Sequence, residues 1–506
     1  MSALSASKGL HVAHKAVTIH LFRYDLRLHD NPALTASIAA AQKTSTPFLP
    51  LYVFDPAQTS KASPSRLKFL LESVSDLRSS LSDNLCIRVG DPATIIKSEF
   101  PNSNVHLQSE PCRDERLASL ALDATEHWGS TLYDLSDLPF SSLSEMPDVF
   151  TPFRTKVEKN SGIRPPLSTC SLSSVSVHDC DKGSVPELSS LTSSPLPPTD
   201  PRSVLNFVGG ESAGLARVNE YIFKLDLLKN YFNTRNGLIG PNYSTKFSPW
   251  LALGCISPRH VASQVTKYEK ASVSNKSTYW LIFELLVRDF CKYFAVKHVD
   301  EIFMLDGTLG RQAHGSHHNS IKWGLDVGYS NSKAEAWKEG RTGFPFVDAN
   351  MRELNATGFM SNRGRQNVAS FLALDLNQDW RYGAEWFEHK LLDYDIYSNW
   401  VSWCMAAGMT GGRVNKFNVV KQAKDYDPEG EYVKLWCPEL KDVPKEYIFE
   451  PWKMSKDAQE RAGCRIGVDY PERVKEMKVF QPRTDRPKKD KKKKEKYKGG
   501  FYKTIG

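Results

Sequence analysis

Between about Leu138 and Ser203 the chain cannot build a core, and that break dictates a two-part fold. The stretch LSSVSVHDCDKGSVPELSSLTSSPLPPTDPRS is rich in Ser, Pro, Thr and Asp and shows too little apolar periodicity to bury a face. Residues 137–208 therefore read as an interdomain connector, disordered in part. Ahead of it, from Val17 to about Tyr133, short β-rich runs (VTIHLF, FLPLYVF, LCIRV, NVHLQ) alternate with amphipathic helical stretches. That alternation predicts a doubly wound parallel α/β domain over residues 16–136. Its clearest helix spans Ser65 to Leu81, with Leu67, Leu70, Leu71, Val74, Leu77 and Leu81 on one side and Arg66, Lys68, Glu72 and Asp76 on the other. No GxGxxG follows the first strand, which argues against a dinucleotide held there by a glycine turn. After the connector, residues 209–455 show helical periodicity, dense aromatics and few β-type runs, and predict an all-α second domain. Residues 1–15 are expected as a disordered leader and residues 456–506 as an extension with a Lys-rich tail.

Composition narrows the class. With 506 residues, 40% hydrophobic and 25% charged, the chain suits two globular domains, each with its own core. No run of 18 apolar residues occurs and the first residues lack an apolar signal core, so neither membrane insertion nor secretion is expected. The leader carries Lys8 and Lys15 and no acid before Asp25, which fits a plain disordered start or an organellar presequence. The expected place is intracellular: nucleus, cytoplasm or mitochondrion. Nine scattered cysteines without a CxxC pair suggest neither a disulfide framework nor a metal site, and fit a reducing compartment. The net charge is +8, and Pro482 to Lys498 supplies +7 of it, ten Lys/Arg against three acids. Such a tail suits contact with nucleic acid, a nuclear address or simple solubility, and by itself establishes none of them. The chain is expected to be a monomer.

Three segments concentrate polar chemistry in the helical half. In YFNTRNGLIGPNYSTKFSPWLALGCISP, Ser244, Thr245, Lys246 and Ser248 precede Pro249, which suits the first turn of a helix. Hydroxyls and free N–H groups at a helix start can hold a pyrophosphate, although the same residues commonly do no more than cap. Downstream, ATGFMSNRGRQNVASFL sets Asn362, Arg363 and Arg365 at the head of a helix, and LLDYDIYSNWVSW places Asp393, Asp395 and Asn399 nearby. An Arg365–Asp393 ion pair would suit any helical core.

Taken together these segments resemble the photolyase/cryptochrome family, and within it the cryptochrome DASH branch. The resemblance rests on FRYDLRLHDNPAL, TRNGLIGPNYSTKFSPWLALGCISP, EGRTGFPFVDANMRELNATGFMSNRGRQNVASFLALDL and NKFNVVKQAKDYDPEGEYVKLWCPEL, in that order, from about Val17 to Leu440. It implies an antenna-type α/β domain and a helical domain that binds FAD. Tyr231, Ser244, Thr245, Lys246, Phe247 and Ser248 would hold the FAD phosphates and ribityl chain. Glu284, Arg288, Asn362, Arg365, Asp393, Asp395 and Asn399 would surround the folded flavin. Trp403 and Trp380 match two members of the family's electron-relay chain. Trp323 is the candidate for the outer, surface member, ahead of Trp337. For an antenna, the resemblance implies 5,10-methenyltetrahydrofolate beside Gln108 and Glu110.

The implied reaction is light-driven splitting of cyclobutane pyrimidine dimers by an electron from reduced FAD, preferentially in single-stranded DNA, where the lesion leaves the stack cheaply. Arg363 and Lys416 would contact phosphates. The chain departs from photolyases where the lesion pocket expects two aromatics: Val287 stands in FELLVRDF and Met405 in NWVSWCMAAG. Stacking contributes roughly 1–3 kcal/mol per base, so their loss weakens lesion binding. Two readings stay open: a dimer photolyase, with Glu284, Asn399, Trp403 and Trp380 in its machinery, and a signalling photoreceptor with little or no repair activity.

Overall fold

The computed structural model describes residues 16–309, 332–412 and 414–476. Trp323 and the Lys-rich tail lie outside the described residues. Five short strands form one sheet: β1 (Thr18–Phe22), β2 (Phe48–Phe54), β3 (Cys86–Val89), β4 (Asn104–Gln108) and β5 (Thr125–His127). All pairings are parallel in the order β3-β2-β1-β4-β5. The chain order reverses between β1 and β4, the switch point of a doubly wound fold. β1 and β2 are buried along their whole length, as parallel strands covered on both faces must be.

The longer helices between them are α1 (Pro32–Thr44), α2 (Pro64–Ser80), α3 (Pro92–Glu99) and α4 (Arg113–Ala121). The first three start alike. Asn31, Ser63 and Asp91 accept from the N–H of Leu34, Arg66 and Thr94, and a proline follows each cap at a position whose missing N–H costs nothing. In α2 the buried face is Leu67, Phe69, Ser73, Val74 and Leu77.

The polar side of α2 does not simply face water. Arg66 donates to Glu388 O at 2.7 Å and lies over the Tyr394 ring, Glu72 accepts from Gly209 N–H, and Asp76 accepts from Ser212 N–H. A charged helix face therefore docks against the helical half. The connector also holds more structure than its composition suggests. It forms the helix α5 (Phe150–Asn160), which buries Phe153 and Val157, and it hydrogen-bonds to the outer edge of the sheet.

The helical half contains, among others, α6 (Ser248–Ala252), α7 (Pro258–Ala271), α8 (Lys276–His298), α9 (Pro345–Thr357), α10 (Asn362–Ser370), α11 (Trp380–Lys390) and α12 (Ile396–Ala407). It runs past the expected boundary at residue 455. Met454, Ala462, Cys464 and Tyr470 sit in the same apolar cluster as Phe346, Tyr432 and Trp436, and Tyr470 donates to Asp348 at 2.5 Å. The reason is local: these apolar side chains have a core to enter.

The two halves belong to one compact unit. Buried polar groups join them. Arg259 pairs with Asp30 at 2.6 Å, Lys292 with Glu110 at 2.7 Å, and Asp289 accepts from the N–H groups of Leu132 and Tyr133 at 2.9 Å each. No helix among the described residues is long and apolar enough to cross a membrane.

Candidate flavin site

The hydroxyl-rich turn comes first. Lys246 adopts φ +59°, and this left-handed residue turns the chain into α6. Thr245, Lys246 and Phe247 are buried, while Ser248 at the head of α6 is exposed. The Lys246 ammonium contacts Ser244 Oγ at 3.1 Å and lies over the Tyr243 ring at 3.1 Å. Its side chain thus enters an aromatic compartment, and burial pushes its pKa well down while Glu353 pulls the other way. Arg217 holds the turn from behind, donating to Thr245 O at 3.1 Å.

The second wall is α8, where Trp280, Glu284, Val287 and Arg288 follow one another at helical spacing, all partly exposed. Trp280 Nε1 donates to Glu284 Oε1 at 3.1 Å, and Arg235 stands 3.9 Å from the same oxygen. Burial raises the Glu284 carboxyl despite both partners. Trp280 and Arg235 were not singled out from sequence. The available signals were the four-residue step from Trp280 to Glu284 and the place of Arg235 in the TRNGLIGP motif.

The third wall joins α10 to α12. Arg365 Nη2 donates to both oxygens of Asp393, at 2.9 and 2.8 Å. Asp395 caps α12 by accepting from Ser398 N–H, and it also pairs with Arg288 at 3.3 Å. Asn399 is buried and donates to Ala384 O at 3.0 Å, which fixes its amide on α12. Arg365 and Lys246 both approach the Phe359 ring, so the hydroxyl turn and the ion pair border one compartment. Asn362 is exposed in the first turn of α10.

The structure therefore brings Lys246 and Arg365, with their partners Ser244 and Asp393, to one aromatic, and sets Glu284 and Arg288 on α8 and Asp395 and Asn399 on α12. This donor set fits FAD: hydroxyls and N–H groups for phosphates, guanidinium and amide groups for the polar edge of a ring system. No cluster of three or more His, Cys, Asp or Glu groups that could hold a metal ion occurs among the described residues.

Indoles adjoin the site. Trp403 is buried on α12 and packs on Gly383, three residues from Trp380 on α11. Trp380 is edge-to-face with Trp400 at 6.0 Å, and Trp403 with Trp337 at 6.0 Å. Trp337 is wholly buried and donates to Val368 O, so it cannot serve as a surface terminus. Trp400, passed over in the sequence, is a further indole beside Trp380.

The expected DNA contacts are mixed. Arg363 lies half-buried over the Tyr426 ring and donates to Asn236. Lys416 is exposed but paired with Asp375 at 2.8 Å. Val287 and Met405 are both partly exposed.

Gln108 and Glu110 are deeply buried. Gln108 donates to Tyr24 O and to Glu110, whose other oxygen accepts from Lys292 and Tyr397 at 2.7 Å each. The room in this half lies elsewhere. A cavity of about 460 Å³ opens at the C-terminal ends of the strands, bordered by Phe22, Tyr24, Tyr52, Arg66 and Glu115, within the size range of small-molecule sites.

This architecture, an α/β layer docked on a helical block with a flavin-shaped donor set, defines the photolyase/cryptochrome class. Models of that class match in both halves: "DNA photolyase" over residues 18–171 and "FAD binding domain of DNA photolyase" over residues 280–486. The chain is 46% identical to a cryptochrome DASH, chloroplastic/mitochondrial, of Ostreococcus tauri, across 92% of this chain and 90% of the relative. It superposes on the crystal structure of a Synechocystis cryptochrome with TM-score 0.83 and 40% identity, over 92% of this chain and 97% of that one. An archaeal photolyase of Sulfolobus tokodaii, described as holding two FAD molecules, gives TM-score 0.69 at 26% identity, over 87% and 94%. The chain belongs to the photolyase/cryptochrome family, in its cryptochrome DASH branch.

Proposed function

We propose that this protein is a light-driven flavoenzyme that splits cyclobutane pyrimidine dimers, preferentially in single-stranded DNA. The observation that carries the reading is the Arg365–Asp393 pair beside α12, which bears buried Asn399 and Trp403 and packs against α8, the helix that carries Glu284. FAD supplies light absorption and the transferable electron. The chain supplies the rest. Ser244 and Ser248 hold phosphates, Arg365, Asp393 and Asn399 orient the ring, and Arg288 with Asp395 keeps the two walls in register. Trp403 and Trp380 supply electrons from within the protein. Glu284, its carboxyl raised by burial, offers a hydrogen-bonding group to a flipped pyrimidine. Arg363 and Lys416 steer phosphates, with Trp323 the outer relay member.

A second chromophore is part of this reading. A folate-type antenna such as 5,10-methenyltetrahydrofolate would lie beside Gln108 and Glu110, and the cavity bordered by Tyr24 and Tyr52 offers a second location. The Sulfolobus relative, described with two FAD molecules and a light-harvesting cofactor, is a precedent for a second chromophore. The protein works inside the cell, and the designation of the Ostreococcus relative makes an organelle a candidate alongside nucleus and cytoplasm.

Val287 and Met405 favour a second reading, a signalling photoreceptor with weak or no repair. Illumination of the purified holoprotein with dimer-containing oligo(dT), counting dimers by chromatography, separates them. Light-dependent loss of dimers is expected. Intact dimers beside bound, photoreducible FAD would leave only the receptor.

A further inference from the structure

β3 is one of the two edge strands of the sheet, and the connector hydrogen-bonds to it. Ile87 N–H donates to Lys182 O at 2.8 Å, while Phe48 at the start of β2 donates to Ser176 O and accepts from His178 N–H, each at 2.8 Å. Arg88 and Arg78 donate to Asp181 O and Gly183 O at 3.1 and 2.8 Å. Gly183 has φ +61° and approaches Ile87 O so closely that a Cβ would stand 2.4 Å from it. Connector and edge strand are thus held at β-pairing distance, about 5 Å between backbones.

Two thiols meet across this seam. Cys86 is fully buried at the first position of β3, with Sγ 3.7 Å from Asp181 O. Cys180 is half-buried and packs against the apolar cluster that contains Cys86, which makes the two thiols neighbours. Disulfides tolerate Cα separations of roughly 4.4–6.8 Å, a range that includes neighbouring extended chains. Lys182 Nζ, fixed by His178 O at 2.6 Å, stands 3.7 Å from Cys180 Sγ. An ammonium therefore faces the sulfur that must carry negative charge as it attacks.

We infer that Cys180 and Cys86 form a reversible disulfide when the protein meets a hydroperoxide, a modification site that staples the connector to the edge of the sheet. Cys180 is the attacking thiol, because it is reachable from solvent and has the cation. Burial, and then Cys180 itself, push the Cys86 thiol up to about 12, so Cys86 does not start the reaction. In the first step the peroxide O–O bond breaks, an S–O bond forms on Cys180, and the other oxygen leaves with the thiol proton, as an alcohol or, from hydrogen peroxide, as water. In the second, Cys86 Sγ attacks Cys180 Sγ, the S–O bond breaks, and the hydroxyl leaves with the Cys86 proton as water. Two electrons pass from the thiols to the peroxide, and a dithiol reductant returns them.

The test is thiol counting on the full-length holoprotein treated with hydrogen peroxide, then denatured and alkylated. Before oxidation all nine cysteines should alkylate. Afterwards seven should, nine less two, with a Cys86–Cys180 peptide two hydrogens lighter that dithiothreitol restores. Cys180→Ser should abolish the bridge, and Cys86→Ala should leave a sulfenic acid at position 180 that dimedone traps. Bridging between any other pair, or oxidation of other cysteines while 86 and 180 still alkylate, would overturn the inference. The readout needs no light, so it stands apart from the photochemical reading.

Discussion

At the scale of single residues the least expected group is Glu353. It is fully buried on α9, one oxygen accepts from Tyr432 at 2.6 Å, and the other has no partner. Burial pushes its carboxyl from 4.5 up to about 8, against the pull of Tyr432, Lys246 and Arg365. The folded chain then keeps a proton that the unfolded chain releases near 4.5, so this group costs stability as pH climbs from about 4.5 to 8. Glu353→Gln keeps the shape and cannot ionise. Its thermal midpoint should match wild type near pH 4.5 and exceed it increasingly toward pH 8.5. A difference that stays constant across that range would mean that Glu353 is charged and paired with Lys246. Nothing in MRELNAT announces this group, because its burial is set by Tyr432, far along the chain. The Arg365–Asp393 pair was legible for the opposite reason: both residues sit in segments whose residue types already suggested it.

At the scale of elements, α11 and α12 are held by an absence of atoms. Gly383 lies on α11 where a Cβ would stand 2.2 Å from the Trp403 ring. Alanine in a helix interior gains up to about 1 kcal/mol over glycine. Overpacking costs about 1–3 kcal/mol, and here the obstacle is a rigid buried indole, so the clash wins. Gly383→Ala should lower the thermal midpoint and alter the near-UV dichroism of the tryptophans. A midpoint at or above wild type would show that Trp403 has room to move. Elements were legible where a period or a cap is strong. The four longer strands and α2 emerge from sequence because β-rich runs and a leucine face at helical spacing mark them, whereas three-residue β5 offers no period at all. Phe153 and Val157 are a single helical step inside a Ser/Pro-rich stretch, too little to reveal α5 without the core they enter. Arg66, Glu72 and Asp76 looked like a solvated face because a sequence does not show what lies opposite a charge.

At the scale of the whole molecule the two halves are joined by buried charge as well as by apolar contact. Arg259–Asp30 and Lys292–Glu110 connect residues some two hundred positions apart, a separation at which sequence carries no signal. The Lys-rich tail is the reverse case, fully legible as charge. Its ten cations against three acids carry +7 of the net +8, so the body contributes +1 by difference. If DNA binding rests on the body, the phosphate contacts are those of Arg363, Lys416 and their neighbours. If the tail contributes, each phosphate it neutralises adds about 0.7 to the slope of log affinity against log salt for a single strand. Deleting Pro482–Gly506 and titrating oligo(dT) at several salt concentrations should flatten that slope by about 0.7 per lost contact. The flavin absorbance should stay unchanged, because no residue assigned to that site lies beyond Trp403. An unaltered slope would remove the tail from DNA recognition and leave the near-neutral body to bind lesions through shape and stacking, where Val287 and Met405 make it weakest.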